Sequence, residues 1–280
     1  MFEIAGKRIL SPVVNLFKIK APIIAKKRKP GQFIILEVDE KGERIPLTIA
    51  DADPIEGTVT IICQALGKST TKLNSLNKGD KIFSFVGPLG TPSHIENFGK
   101  SICIGGGAGI AVAFPLAKAL KQEGNHVISI MGFRSKELLF MEEELRATSD
   151  ELHVTTDDGT YARKGLVTDV LVEILAKERV IDFILAVGPV PMMKAVCNIT
   201  KKYNIKTMVS LNPIMVDGTG MCGACRVTID GKTKFVCVDG PEFDGHLVDF
   251  DELMKRQSFY KQEERLSLEK FQHEGCCSKN

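Results

Sequence analysis

Tryptophan is absent from this 280-residue chain and tyrosine occurs only three times. With aromatics at 6%, a surface of rings on which unpaired bases stack is excluded. An excess of one charge is missing too: 37 Lys and Arg stand against 35 Asp and Glu, a net of +2. That balance offers no bulk attraction to nucleic acid or to a membrane surface. No apolar run approaches the ~20 residues of a spanning helix, and the first residues do not read as an export signal. A cytoplasmic location is therefore expected, with the eight cysteines reduced or acting as ligands rather than paired in disulfides. The five histidines are scattered without an HExxH-type spacing and carry no assigned role. Internal repeats and low-complexity linkers are also lacking.

What the chain does have is a cluster of cysteines in a glycine-rich stretch near the C-terminus. Asp217, Cys222, Cys225 and Cys237 follow the spacing Asp-x4-Cys-x2-Cys-x11-Cys. A C-x4-C-x2-C…C run holds a plant-type [2Fe–2S] cluster, and here an aspartate takes the first place. Thiolates are soft ligands that suit iron–sulfur clusters or zinc. Gly218, Gly220 and Gly223 permit the positive-φ turns and close backbone approach that wrapping such a group requires. Three readings stay open at this point. Asp217 supplies one hard oxygen to an iron; three cysteines and a carboxylate hold a structural zinc; or Asp217 is a turn residue and an external ligand completes the site. If the first holds, the chain moves single electrons.

Three parts are expected along the chain. Residues 1–98 read as short strands with turn punctuation, including Ile45 to Ile49, Gly57 to Gln64 and Lys81 to Val86, which predicts a small antiparallel β-barrel. From 99 to 207 strands and helices alternate. Helices are expected at Ala111 to Gln122, Lys136 to Ala147, Leu166 to Glu178 and Pro191 to Lys202, which implies a parallel sheet covered on both faces. Residues 208–280 hold the cysteine loop, a hairpin around Thr228 to Lys232, and a charged amphipathic tail from Phe250. Lys26 to Lys29 read as a basic hairpin turn, with docking of an acidic ferredoxin as the functional alternative. Cys276 and Cys277 are assigned no role.

Within the second part, Gly105, Gly106, Gly107, Ala108, Gly109 and Ile110 follow a buried strand and open a helix. Such a turn lets the backbone reach a pyrophosphate at the helix N-terminus; its alternative use is tight strand-to-helix packing. Gly188 and Pro189 repeat the arrangement, and two such turns on one sheet would border a dinucleotide crevice. Arg134, Asp157 and Asp158 end the intervening strands and should rim it. In the barrel, Arg44, Pro46, Leu47 and Thr48 combine a guanidinium able to neutralise a pyrophosphate with a hydroxyl able to bond a flavin edge. Ser69 and Thr70, in Gly67-Lys68-Ser69-Thr70, offer phosphate donors or a helix cap.

Arg-x-Pro-Leu-Thr, Gly-Lys-Ser-Thr, Gly-Pro-Leu-Gly and Gly-Gly-Gly-Ala-Gly-Ile-Ala occur here in the order seen in the ferredoxin–NADP reductase superfamily. With the cysteine loop, the chain resembles the branch of electron-transfer subunits that serve type B dihydroorotate dehydrogenases. Asp217 is similar to the first ligand in small subunits of electron-bifurcating NADH-dependent ferredoxin:NADP oxidoreductases. The resemblance implies FAD, a [2Fe–2S] cluster and NAD(H) rather than NADP(H) as cofactors. It implies flavin contacts from Arg44, Pro46, Leu47, Thr48 (near N5), Ile62, Cys63 and Gln64, and pyrophosphate contacts from Ser69 and Thr70. The nicotinamide dinucleotide falls to Gly106, Gly107, Ala108, Gly109 and Ile110, and the cluster to Asp217, Cys222, Cys225 and Cys237. Ser69 and Val112 depart from the glycine and proline that many relatives carry there. A larger iron–sulfur flavoprotein subunit is the expected partner, with ferredoxin reached only through it. A dihydroorotate dehydrogenase or sulfhydrogenase subunit is the alternative within the fold. A zinc-bearing, non-catalytic interaction module is the alternative outside it.

Overall fold

A computed structural model describes residues 1–178 and 180–277, with side chains described through His273. The first part opens with β1 (Phe2–Ser11), β2 (Val14–Lys20) and α1 (Pro22–Lys27), then β3 (Phe33–Glu37), β4 (Ile45–Asp53) and β5 (Thr58–Gln64). After α2 (Lys68–Ser75) come the short β6 (Lys81–Ile82) and β7 (Ser84–Leu89). These seven strands form one antiparallel sheet in the order β6-β1-β2-β5-β4-β3-β7, curled into a nearly closed barrel. Phe17, Ile19, Ile34, Leu36, Ile49, Ile61 and Cys63 fill it. β5 is buried along almost its whole length because both its faces are covered. Cys63 faces the barrel core, while Ile62 faces the next domain. The burial of β5 reaches the polar Thr58 and Thr60 as well as the apolar Val59, Ile61 and Ile62.

The second sheet begins with β8 (Lys100–Gly106), which runs through a 3-10 turn into α3 (Ile110–Gln122). β9 (His126–Phe133), α4 (Glu142–Ala147), β10 (Glu151–Thr156), β11 (Arg163–Lys164) and α5 (Val167–Lys177) step outward on one side. β12 (Phe183–Val187), α6 (Val190–Lys202) and β13 (Lys206–Ser210) continue on the other. The order is β11-β10-β9-β8-β12-β13-β16, parallel except at its last strand. The chain therefore reverses its direction of travel across β8 and β12, the switch point at which α/β sheets open a crevice. α3 and α4 pack on one face, α5 and α6 on the other.

Beyond the cysteine loop lie β14 (Arg226–Ile229), β15 (Lys232–Phe235), α7 (Val236–Asp239), β16 (Glu242–Asp244), α8 (Phe250–Gln257) and α9 (Lys261–Cys277). β13 runs across residue 207, and β16 pairs antiparallel with it through Met208–Asp244, Val209–Phe243 and Ser210–Glu242. Cys225, Val227, Cys237, Phe250 and Leu253 share one core with Phe33 and Ile35 of the barrel and with α5 and α6. All three parts are thus packed together.

Some local expectations change. The helix expected over Lys136 to Ala147 is a 3-10 turn at Lys136–Leu138 followed by α4. Between them Phe140 and Met141 are buried, and Met141 adopts φ 60°, so burial breaks the helix. Lys26 and Lys27 end α1 instead of turning a hairpin. The Lys81 to Val86 strand is split between β6 and β7.

Candidate functional site

The two glycine turns meet. Val187 is in register with Gly105, and a Cβ on Gly188 would stand 3.1 Å from the Cα and N of Gly106. Gly109 passes so close to β12 that a Cβ there would lie 2.2 Å from the Val187 carbonyl oxygen. Gly109 is therefore required for packing, whatever binds nearby. Gly107 is different: φ is +52° and a Cβ there would meet nothing within 4 Å. Its backbone borders open space at the C-terminal end of β8, which fits approach by a ligand phosphate. Ala108 is exposed beside it, and Ile110 is buried under α3. Pro189 is exposed where α6 begins.

Arg134 is exposed at the end of β9. The amides of Asp157 and Asp158 donate to the carbonyls of Phe133 and Arg134 at 3.0 and 3.2 Å, which ties the ends of β9 and β10 together. The Asp158 carboxylate accepts from the amide and hydroxyl of Thr160, and these bonds hold its pKa below the ordinary value. Asp158 is thus occupied in building the rim turn. Lys136 Nζ lies 5.5 Å over the Tyr161 ring.

In the barrel, Arg44 through Thr48 form a half-buried row leading into β4, with Thr48 opposite Phe33. The Ser69 hydroxyl donates to Glu43 at 2.5 Å, which brings this row and the start of α2 together. Thr70 Oγ1 accepts from the amides of Leu66 and Gly67, each at 3.0 Å, so this hydroxyl serves as the helix cap. Gln64 ends β5 half-buried. The Cys63 thiol is sunk in the barrel core and burial pushes its pKa up to about 12, leaving only its backbone for a cofactor. Ile62 packs with Ala50 against Ile110 and Ala111 of α3, which joins the barrel row to the dinucleotide loop.

Arg44 differs from expectation. Its Nε donates to the Val216 carbonyl at 2.7 Å and its Nη2 to the Asp217 carbonyl at 3.2 Å, and Nη1 lies 3.8 Å from Glu37. The guanidinium is engaged with the cysteine loop instead of being held out for a pyrophosphate. No local signal marks this, because the partners lie 172 and 173 positions away.

The cysteine loop itself is tightly built. Gly218, Gly220 and Gly223 have φ of 83°, 87° and 67°. Cys225 and Cys237 are each 2% exposed, with their sulfurs 3.2 Å apart. That separation is too long for a disulfide of about 2.05 Å. It is a little under the ~3.8 Å expected between two thiolates bound tetrahedrally at about 2.3 Å. Burial and the neighbouring Cys225 thiol push the Cys237 pKa up to about 12. Cys222 is exposed, and backbone groups of Ala224 and Asp217 lower its pKa. Asp217 Oδ2 accepts from the Thr219 amide at 2.9 Å, the Thr219 hydroxyl at 2.5 Å and the Met221 amide at 3.2 Å. Among the described residues these bonds all use Oδ2, so Oδ1 remains for a further partner. The structure brings Cys225 and Cys237 together, while among the described residues no three His, Cys, Asp or Glu side chains are gathered closely enough to hold a metal ion.

A flavin-type barrel, a dinucleotide crevice and a cysteine loop in one packed unit define an oxidoreductase of the ferredoxin–NADP reductase class. The family described as the iron-sulfur cluster binding domain of dihydroorotate dehydrogenase B matches residues 212–249, and the oxidoreductase NAD-binding domain matches residues 103–198. A dihydroorotate dehydrogenase B (NAD(+)) electron transfer subunit homolog from Thermotoga maritima is 49% identical, covering 96% of this chain and 95% of its own. The dihydroorotate dehydrogenase B (NAD(+)) electron transfer subunit of Bacillus caldolyticus is 34% identical over 86% and 94%. A solved structure from work on flavin-based electron bifurcation by the NADH-dependent reduced ferredoxin-NADP oxidoreductase is 48% identical. It aligns with a TM-score of 0.91 over 97% of this chain and 98% of its own. The chain belongs to the family of dihydroorotate dehydrogenase B-type electron transfer subunits. It is an oxidoreductase subunit for FAD, a [2Fe–2S] cluster and NAD(H), and relatives of this kind work with a larger partner subunit. No helix among the described residues is long and apolar enough to cross a membrane.

Proposed function

We propose that this chain takes hydride from NADH and passes single electrons to, or from, a larger iron–sulfur flavoprotein subunit, as in an electron-bifurcating ferredoxin:NADP oxidoreductase. A bound flavin supplies the conversion between two-electron hydride and one-electron chemistry. The protein's share is orientation, exclusion of water and oxygen, and tuning. Pro46, Leu47 and Thr48 would hold the flavin, and the Thr48 hydroxyl would be available to hydrogen-bond its ring edge. The backbone of Ile62 to Gln64 flanks the ring, and the start of α2 at Ser69 takes the pyrophosphate once Glu43 releases the Ser69 hydroxyl. Gly106, Gly107 and Ala108 receive the NADH pyrophosphate across from Gly188 and Pro189, with Arg134 and Asp157 at the rim. No side chain need act as acid or base.

Asp217, Cys222, Cys225 and Cys237 are the proposed cluster ligands. The observation that carries the reading is the buried Cys225–Cys237 pair at 3.2 Å on a loop packed directly against the barrel. Cys222 faces outward, with exposed Val216 and Met221 nearby in sequence and exposed Val238 against Gly220, which favours electron exit on that side toward the partner. Ferredoxin is then reached only through the partner.

Metal analysis of the purified chain tests this with Asp217→Cys as the companion variant. About two irons per chain and a changed cluster spectrum in the variant are expected. Zinc without iron would overturn the proposal in favour of an interaction module. An unchanged variant spectrum would remove Asp217 from the ligand set. The subunit that co-purifies distinguishes a ferredoxin-linked partner from a dihydroorotate dehydrogenase or sulfhydrogenase partner.

A further inference from the structure

Arg44 stands just ahead of β4, and its side chain is 30% exposed. Its fork grips two successive carbonyls, Val216 at 2.7 Å and Asp217 at 3.2 Å. These carbonyls belong to the peptide bonds on either side of the Asp217 Cα, so the grip restrains the backbone at the first proposed ligand. Immediately afterwards Gly218 crosses the barrel wall, where a Cβ would lie 2.8 Å from Ile35 and 3.0 Å from Leu89. The Asp217 end of the loop is thus clamped between an arginine and a glycine contact, both on the barrel. The cysteine end is anchored separately: Arg256 Nη2 donates to the Ala224 carbonyl at 3.1 Å. One ligand is therefore held by the flavin barrel, and the sulfur ligands are held by the C-terminal part.

From this arrangement we infer that Arg44 is a positioning residue for the cluster, which holds Asp217 in its ligating pose and raises the cluster's reduction potential through its fixed positive charge. The inference rests on the cluster assignment proposed above. A cationic group beside a cluster favours the reduced form, because reduction adds one negative charge. A guanidinium suits the task. It offers its charge on a planar fork that serves two acceptors, whereas a lysine offers the charge without the fork. Glu37 lies 3.8 Å from Nη1, the nitrogen that neither carbonyl uses. Since the same segment leads into the proposed flavin contacts at Pro46 to Thr48, Arg44 also ties the position of the first ligand to that of the flavin ring.

The test compares Arg44→Gln and Arg44→Lys in the full chain with its cofactors, by EPR and by a redox titration that follows cluster and flavin separately. Arg44→Gln is expected to disfavour cluster reduction by about tenfold, a downward shift of about 59 mV for one electron, and to broaden the EPR signal. Arg44→Lys is expected to keep most of the potential while still broadening the signal, since charge survives and the fork is lost. Unchanged cluster EPR and potential in both variants, with weakened FAD binding instead, would overturn the inference and return Arg44 to the flavin phosphates. If Arg44→Gln does not fold, Arg44→Lys decides alone: a broadened signal at near-native potential supports the clamp, and a native signal sinks it. A failure of the parent reading shows itself differently, as an unvaried chain with no reducible cluster at all.

Discussion

The two glycines of the β8–α3 turn make opposite predictions when each is replaced by alanine. At Gly109 the new methyl would stand 2.2 Å from the Val187 oxygen, 2.6 Å from its carbonyl carbon and 2.9 Å from the Gly188 Cα. Ordinary contact begins near 3.4 Å, so β12 and α3 must separate by about 1 Å or more. All three neighbours are backbone and none is a flexible side chain that can swing away. Overpacking of this kind costs ~1–3 kcal/mol, and rigid neighbours place Gly109→Ala near the upper end. At about 2–4 °C per kcal/mol for a chain of this size, the melting temperature should fall by roughly 6–12 °C. Gly107→Ala meets no neighbour within 4 Å and has only its φ of +52° to accommodate. That costs about 1 kcal/mol, or roughly 2–4 °C. Its methyl does project where the nucleotide backbone is expected, so it should weaken NADH binding more than its small stability loss explains. Thermal unfolding by circular dichroism and NADH titration of both variants provide the comparison. If Gly109→Ala melts like the unaltered protein, or Gly107→Ala melts below Gly109→Ala, the division into a packing glycine and a ligand glycine is wrong.

Three further outcomes follow from the same structure. Burial holds the Glu242 carboxyl above its ordinary value of 4.5, while the Ser93 hydroxyl that donates to it opposes the shift. The folded chain therefore binds this proton more tightly than the unfolded chain does. The stability it brings is fully present below about pH 4.5 and is lost as pH rises through the raised folded pKa. Melting temperatures measured across that window should decline less steeply in Glu242→Gln, and an identical slope would show that another group is responsible. Cys225→Ser removes the 3.2 Å partner of Cys237. Even outer partners of metal ligands contribute ~10–100-fold in affinity, so iron analysis should find this variant largely depleted, and full iron occupancy would exclude Cys225 as a ligand. Removing the metal with a chelator under reducing conditions should leave the far-ultraviolet spectrum of both sheets in place while loosening residues 212–240. Hydrogen exchange reads this directly, and uniform protection would contradict it.

The fold was legible where local chemistry dictates it. Gly105 to Gly109 after a buried strand, the apolar runs of β9 and β12, and the Asp217 to Cys237 spacing each carry their meaning within a few residues. The superfamily layout followed from the order of those segments. Local reading ended where distant partners decide. The Arg44 side chain is directed by carbonyls 172 and 173 positions away, so its segment alone pointed to a phosphate. Cys63 lies within a strand buried on both faces, where alternation no longer says which residues face a cofactor. The helix expected from Lys136 is interrupted because Phe140 and Met141 are drawn into the core beneath α3. β16 joins the parallel sheet from a segment that reads as loop, since three residues carry too little periodicity to register. Ser69 looked like a ready phosphate donor, yet its hydroxyl is bonded to Glu43, 26 positions away.

The central claim is that Asp217, Cys222, Cys225 and Cys237 hold a redox-active cluster supplied with electrons through the barrel and the crevice. An anaerobic NADH titration of the purified chain, followed at once by absorption and by low-temperature EPR, tests it most directly. Bleaching of flavin bands together with the rise of a [2Fe–2S] signal, at near-stoichiometric NADH, is the expected result. Flavin bleaching with no paramagnetic cluster signal at any NADH concentration would contradict it.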